Sequence, residues 1–244
     1  MKMHIKAKTL PVLLLGTSLV LTSGCFHDED DDPIVMAPVA MVTYSVTVTN
    51  ITNGQPLTPL AVIAHHSNYQ AWQAGSAAST GLEMLAESGD PSVFLSEAAA
   101  SSDVLGSVAS SNGPFGPGAS ETVMLTTIEV SDLEITVAAM LANTNDAFAG
   151  IENVLVGDLA AGDSITLLAH VYDAGTELNT ETTGTMPGPA AGGEGFNVAR
   201  DDIGNFIAVH AGVVTNDDGL AGSALDESHR WQGPAAKVVI TRMQ

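Results

Sequence analysis

The chain has 244 residues, with 28 Asp and Glu against only seven Lys and Arg, for a formal charge of −21 at pH 7. Nucleic-acid binding is excluded on that count, because strands are held by neutralising phosphates, and three of the seven cations, Lys2, Lys6 and Lys8, fall in an N-terminal leader. Direct attraction to anionic lipid headgroups is disfavoured for the same reason, whereas solubility, saline surroundings or divalent-cation binding all fit the excess of carboxylates.

Residues 1–24 have the layout of a secretory signal peptide: early lysines, an apolar run over 10–21, then small residues before Cys25. The run is shorter than the roughly 20 residues that span a bilayer. Leu21-Thr22-Ser23-Gly24-Cys25 resembles the lipobox of bacterial lipoproteins, in which the cysteine becomes the lipidated first residue; Thr22 stands where that pattern usually has leucine. Cys25 is the single cysteine, so no internal disulfide is possible and an exported domain must rely on core burial, with or without a metal. The run His27-Asp28-Glu29-Asp30-Asp31-Asp32 repels itself and reads as a solvated tether. Residues 25–41 are therefore assigned to a lipidated cysteine and acidic tether, and 42–244 to one undivided domain. Phe26, rather than aspartate, after the cysteine leans towards the outer membrane, so the expected address is the bacterial cell envelope with a membrane anchor at Cys25.

Residues 42–50 alternate, with Val42, Tyr44, Val46 and Val48 on one face and hydroxyls on the other, the period of a half-buried strand. A second, apolar strand is expected over 60–65. Thr80-Gly81-Leu82-Glu83 matches a helix capping box, and a second short helix is expected after Asp90-Pro91-Ser92. Further strands are expected over 122–130, 133–141, 164–172 and 236–243, with a Gly/Pro-rich surface connection over 184–195. Six or more strands without regular intervening helices predict a mainly β, antiparallel β-sandwich with one or two short inserted helices.

Two acidic segments, Asn145-Asp146-Ala147-Phe148-Ala149-Gly150 and Tyr172-Asp173-Ala174-Gly175-Thr176-Glu177, follow strand-like runs where a turn is expected. A hard divalent ion such as calcium needs several oxygen ligands, which three carboxylates and nearby carbonyls could supply. The bland alternative makes Asp146 and Asp173 turn residues that hydrogen-bond local amides. His65, His66, His170, His210 and His229 suggest a hydrolase-type metal centre, but adjacent strand histidines face opposite sides and the spacing does not support one. Gly162-Asp163-Ser164 reads as a turn entering a strand rather than a nucleophile segment. Trp72 and Trp231 are both expected to be buried.

Tyr44 through Asn50, Thr52-Asn53-Gly54-Gln55, the stretch 141–150, Tyr172 through Glu177, and Ala236 through Arg242 together resemble the spondin N-terminal domain family in its bacterial branch. The resemblance covers about 42–243. It implies a C2-like β-sandwich with calcium held at one end by Asp146, Asp173 and Glu177, and a non-catalytic role in adhesion or ligand binding with an unknown protein or glycan partner. Ala147 replaces the tryptophan of animal members, Glu177 replaces an aspartate, and their disulfides are absent. The alternatives are a metal-dependent envelope hydrolase using a His/Asp site, or a purely structural envelope lipoprotein.

Overall fold

The computed structural model describes residues 38–199 and 204–244; the signal segment, Cys25 and the acidic run through Asp32 lie outside them. Nine strands and two helices follow in order: β1 (Met41–Asn50), β2 (Ala61–His66), α1 (Thr80–Ser88), α2 (Ser92–Ala99), β3 (Val104–Ala109), β4 (Ser120–Ile128), β5 (Leu133–Met140), β6 (Ala147–Leu155), β7 (Ser164–Asp173), β8 (Ala208–Val209) and β9 (Ala236–Arg242). The strand order is β3-β2-β5-β6-β7-β9-β1-β4, with β8 added to β7, and the strand pairings among the described residues are antiparallel.

β7 turns the corner between two layers. Its first half, Ser164 to Ala169, pairs with β9, and its last four residues pair with β6. At the other end the Thr127 hydroxyl on β4 donates to the Leu105 carbonyl on β3 (3.1 Å), so the sheet nearly closes. The expected mainly β, antiparallel architecture with two helices is what forms.

Burial explains which strands alternate. β1 buries Val42, Tyr44, Val46 and Val48 against the opposite layer, while its outer hydroxyls pair across the strand, Thr43 with Thr126 (2.9 Å) and Thr47 with Thr122 (2.9 Å). β2 and β5 are covered on both faces. Val62, Ala64, Ile135 and Val137 face the sandwich core, whereas Ala61, Ile63 and Ala138 pack beneath α1, α2, Trp72 and Phe148. Their near-continuous apolar sequences follow from that double coverage. Residues Pro38–Gln244 form one compact unit around these cores.

Three expectations need correction. The α1 cap is Ser79, whose hydroxyl accepts from the Leu82 amide (3.2 Å), so Thr80 is the first helical residue rather than the cap. The partner glutamate comes from α2: Glu97 accepts from the Ser79 hydroxyl (2.6 Å) and the Gly81 amide (2.9 Å), tying the two helices together. The stretch beginning at Ala147 is not a turn but the start of β6, and β3 was not expected at all.

Candidate functional site

The turn between β5 and β6, residues 141–146, is buried throughout although four of its six residues are polar. Buried polar groups must find partners; one of these closes the turn itself and the other three reach other loops. Thr144 closes the turn itself, donating to the Leu141 carbonyl (2.6 Å) and accepting from the Ala147 amide (3.1 Å). Asn143 binds Gly54 (3.1 Å) and Ala190 (3.0 Å) and exchanges bonds with the Gln55 amide group. Asn145 accepts from the Glu181 amide (3.1 Å) and donates to the Glu177 carboxylate (3.3 Å). These partners lie up to 89 residues away, so no local window in the sequence reveals them.

Asp146 takes the centre. Its side chain is fully buried, and Oδ2 accepts from the amides of Thr176 (2.8 Å) and Glu177 (3.1 Å). Oδ1 is buried with no hydrogen-bond partner. Burial, then the charges of Asp173 and Glu87, push its carboxyl up to about 7, against the opposing pull of the two amides. Asp173 ends β7, with Ala147 opposite it on β6 and Ala208 opposite on β8. Its Oδ1 accepts from Gly175 (2.8 Å), the expected turn bond, and its Oδ2 accepts from the Asn179 amide group (2.6 Å). Gly175 lies at φ +72°, and a Cβ there would stand 2.4 Å from the Phe206 carbonyl, so the turn beneath Asp173 requires glycine.

The fold thus brings Asp146 and Asp173 together and joins Glu177 to them through its main-chain amide, its carboxylate meeting Asn145. Among the described residues, no group of three or more His, Cys, Asp or Glu side chains is gathered as a ready metal cage. The donor set still fits a hard cation, because an ionised buried carboxylate with a bare oxygen beside a second carboxylate gains most from one.

Among the described histidines, His210 stands beside Asp173. Its Nδ1 accepts from the Gly212 amide (2.9 Å), so the neutral ring carries its proton on Nε2, which lies 4.0 Å from Asp173 and has no hydrogen-bond partner. Burial lowers its pKa, with Asp173 opposing. His65 and His66 do face opposite ways. His65 is buried and spends both nitrogens on the His66 carbonyl and the Thr136 hydroxyl (2.9 Å each), while His66 bonds Asp132 near the surface (2.9 Å).

Glu181 is a structural support of the region that no sequence signal pointed to. It is buried at φ +55°, and its carboxylate accepts from the Val214 amide (2.7 Å) and the Ser223 hydroxyl (3.4 Å), holding the loop after β8 to the one after β7. Glu181→Ala is expected to lower stability by about 2–3 kcal/mol in urea melts. Glu181→Gly should lose less, since it relieves the left-handed backbone while removing the same bonds.

No helix among the described residues is long and apolar enough to cross a membrane. No curated protein matches the chain. A family model, Spondin_N, matches residues 51–187, more than half of the sequence and a span that includes Asp146, Asp173 and Glu177 but not β1, β8 or β9. Such domains are in general extracellular and non-enzymatic. With its antiparallel fold and this match, the chain belongs to the spondin N-terminal domain family.

Proposed function

We propose that this protein is a lipid-anchored domain displayed at the bacterial cell envelope, binding calcium through Asp146 and Asp173 with Glu177 as a further ligand, and serving adhesion or ligand binding rather than catalysis. The observation that carries the reading is the bare, buried Oδ1 of Asp146 beside Asp173. A cation there would lock the 141–146 turn to the 173–177 loop and so rigidify the end of the sandwich. The ion has a structural role in this reading, and the partner is met by surrounding surface.

A hydrolase reading has less support. His65 has both ring nitrogens committed, His66 and His229 pair with Asp132 and Asp226 away from Asp146, and His210 stands beside Asp173 with no second histidine at hand among the described residues. Calcium-dependent stability, argued in the Discussion, tests the cation.

Anchoring has its own test. Cells expressing the full chain and fed radiolabelled palmitate should label the protein and recover it with membranes, and Cys25→Ala should abolish the label. Labelling that survives in Cys25→Ala, or wild-type protein that never labels, removes the anchor from the proposal.

A further inference from the structure

Trp72 lies in the core as expected, 4% exposed, but Trp231 does not join it: the second tryptophan is half-buried and lines the surface. We infer that the clefts flanking Trp231 bind a neutral oligosaccharide, with the indole as the stacking platform.

The platform is rigid. Trp231 follows the short 3-10 turn Glu227–His229, which is held by the Gln55 side chain donating to the His229 carbonyl (3.0 Å). The indole packs against both the sandwich core and the small cluster of Met186, Val213 and Leu225, and the His210 ring lies against it at 5.2 Å, tilted 52°. An aromatic side chain fixed this way loses little further freedom when a ligand arrives.

Two clefts of about 300 Å³ each share Trp231 and Gln232 as a common wall. One is lined by His170 and His210, the other by Asn53, Glu227 and Arg230. Their sizes lie at the lower end for small-ligand sites, of the order of one sugar ring apiece.

The chemistry of the walls selects the ligand class. A pyranose has an apolar C–H face and a rim of hydroxyls that both donate and accept. The indole offers an apolar face and an N–H; the amides of Asn53 and Gln232 offer a donor and an acceptor side by side. Asn53 donates Nδ2 to the Ser228 carbonyl (3.3 Å), which leaves its Oδ1 to receive a hydroxyl. Arg230 places Nη1 on Asp218 (2.8 Å) and Glu227 (3.2 Å), so its charge is balanced and its other N–H groups act as directional donors. A chain of net charge −21 repels uronic or sulfated glycans. A wholly apolar ligand would strand the amides and the guanidinium without partners.

The test uses the full chain in a detergent without a sugar headgroup, titrated with hexasaccharides of glucose in its α-1,4, β-1,4 and β-1,3 linkages, of β-1,4-mannose and of β-1,4-N-acetylglucosamine. Because Trp72 is buried, a ligand-dependent change in tryptophan emission reports Trp231. Saturable change is expected with at least one of these, matched by calorimetry, in calcium and in chelator alike, which separates this site from the cation. Trp231→Ala should weaken binding about ten-fold or more, with Trp231→Phe largely restoring it. Gln232→Ala and Asn53→Ala, at surface positions where melting temperature should not change, should each cost about three-fold. Absence of binding across the panel at millimolar concentration overturns the inference. So does full affinity in Trp231→Ala, full affinity in both surface variants, or tighter binding of a galacturonic-acid hexasaccharide than of any neutral one.

Discussion

Calcium is expected to raise the melting temperature of the Pro38–Gln244 domain at pH 8 by about 5–10 °C when present at roughly a hundred times its dissociation constant, and chelation to reverse the shift. The site explains the size and the pH dependence. Asp146 has its folded-state pKa raised from 3.8 to about 7. Between those two values the native state holds a proton that the unfolded chain has lost, so without a cation stability is full below about pH 4 and declines as pH rises through about 7. The total decline is at most about 4 kcal/mol. A bound cation replaces that proton and should flatten or invert the trend.

Asp146→Asn separates the two contributions because they have opposite signs. In chelator at pH 8 the neutral amide can still accept from Thr176 and Glu177 while removing a buried charge, so the variant should exceed wild type by about 1–3 kcal/mol. At pH 5 that advantage should shrink, since the wild-type carboxyl is then protonated. The calcium-dependent rise should vanish in Asp146→Asn and in Asp173→Ala. A wild type indifferent to calcium, or an Asp146→Asn variant that keeps the shift, would return both carboxylates to turn chemistry.

How much of this was legible in the sequence depends on what covers each segment. β1 has solvent on one face, and its alternation shows it. β2 and β5 read as apolar runs because helices cover their second face. β3 is half-buried along nearly its whole length, so Val104 to Ala109 carries neither pattern. β6 opens with Ala147-Phe148-Ala149-Gly150, all buried, after an Asn-Asp pair that resembles a turn; only the tertiary neighbours make it a strand. Asp146 and Asp173 could be named from their positions at the ends of apolar runs. The supports around them could not, because Asn143, Asn145 and Glu181 act through loops distant in sequence. Trp231 ran against the ordinary expectation of burial because the 3-10 turn before it delivers the ring to the surface edge of two cores.

Trp72→Ala and Gly150→Val should each destabilise the domain strongly, and together less than their sum. A Cβ at Gly150 would lie 2.6 and 2.7 Å from two atoms of the Trp72 ring, so the indole occupies the space that a side chain at this position of β6 would need. The same ring meets Phe148 edge-on at 5.1 Å and Tyr172 at 5.8 Å, and thereby clamps β6 to β7 from the helix side. Trp72→Ala empties that space at a cost of about 3–5 kcal/mol. Gly150→Val overfills it, for about 1–3 kcal/mol or more. In the double variant the valine occupies the vacated volume, so the coupling measured by a double-mutant cycle in urea should reach about 2 kcal/mol in the favourable direction. Purely additive losses would mean that the ring and the glycine do not share one volume. The consequence reaches the acidic site because β6 and β7 pair over only four residues, from Gly150 with His170 to Ala147 with Asp173. Loosening one end of so short a ladder shifts Asp173 against Asp146 at the other. The calcium-dependent rise in melting temperature should therefore shrink in each single variant and recover in the double.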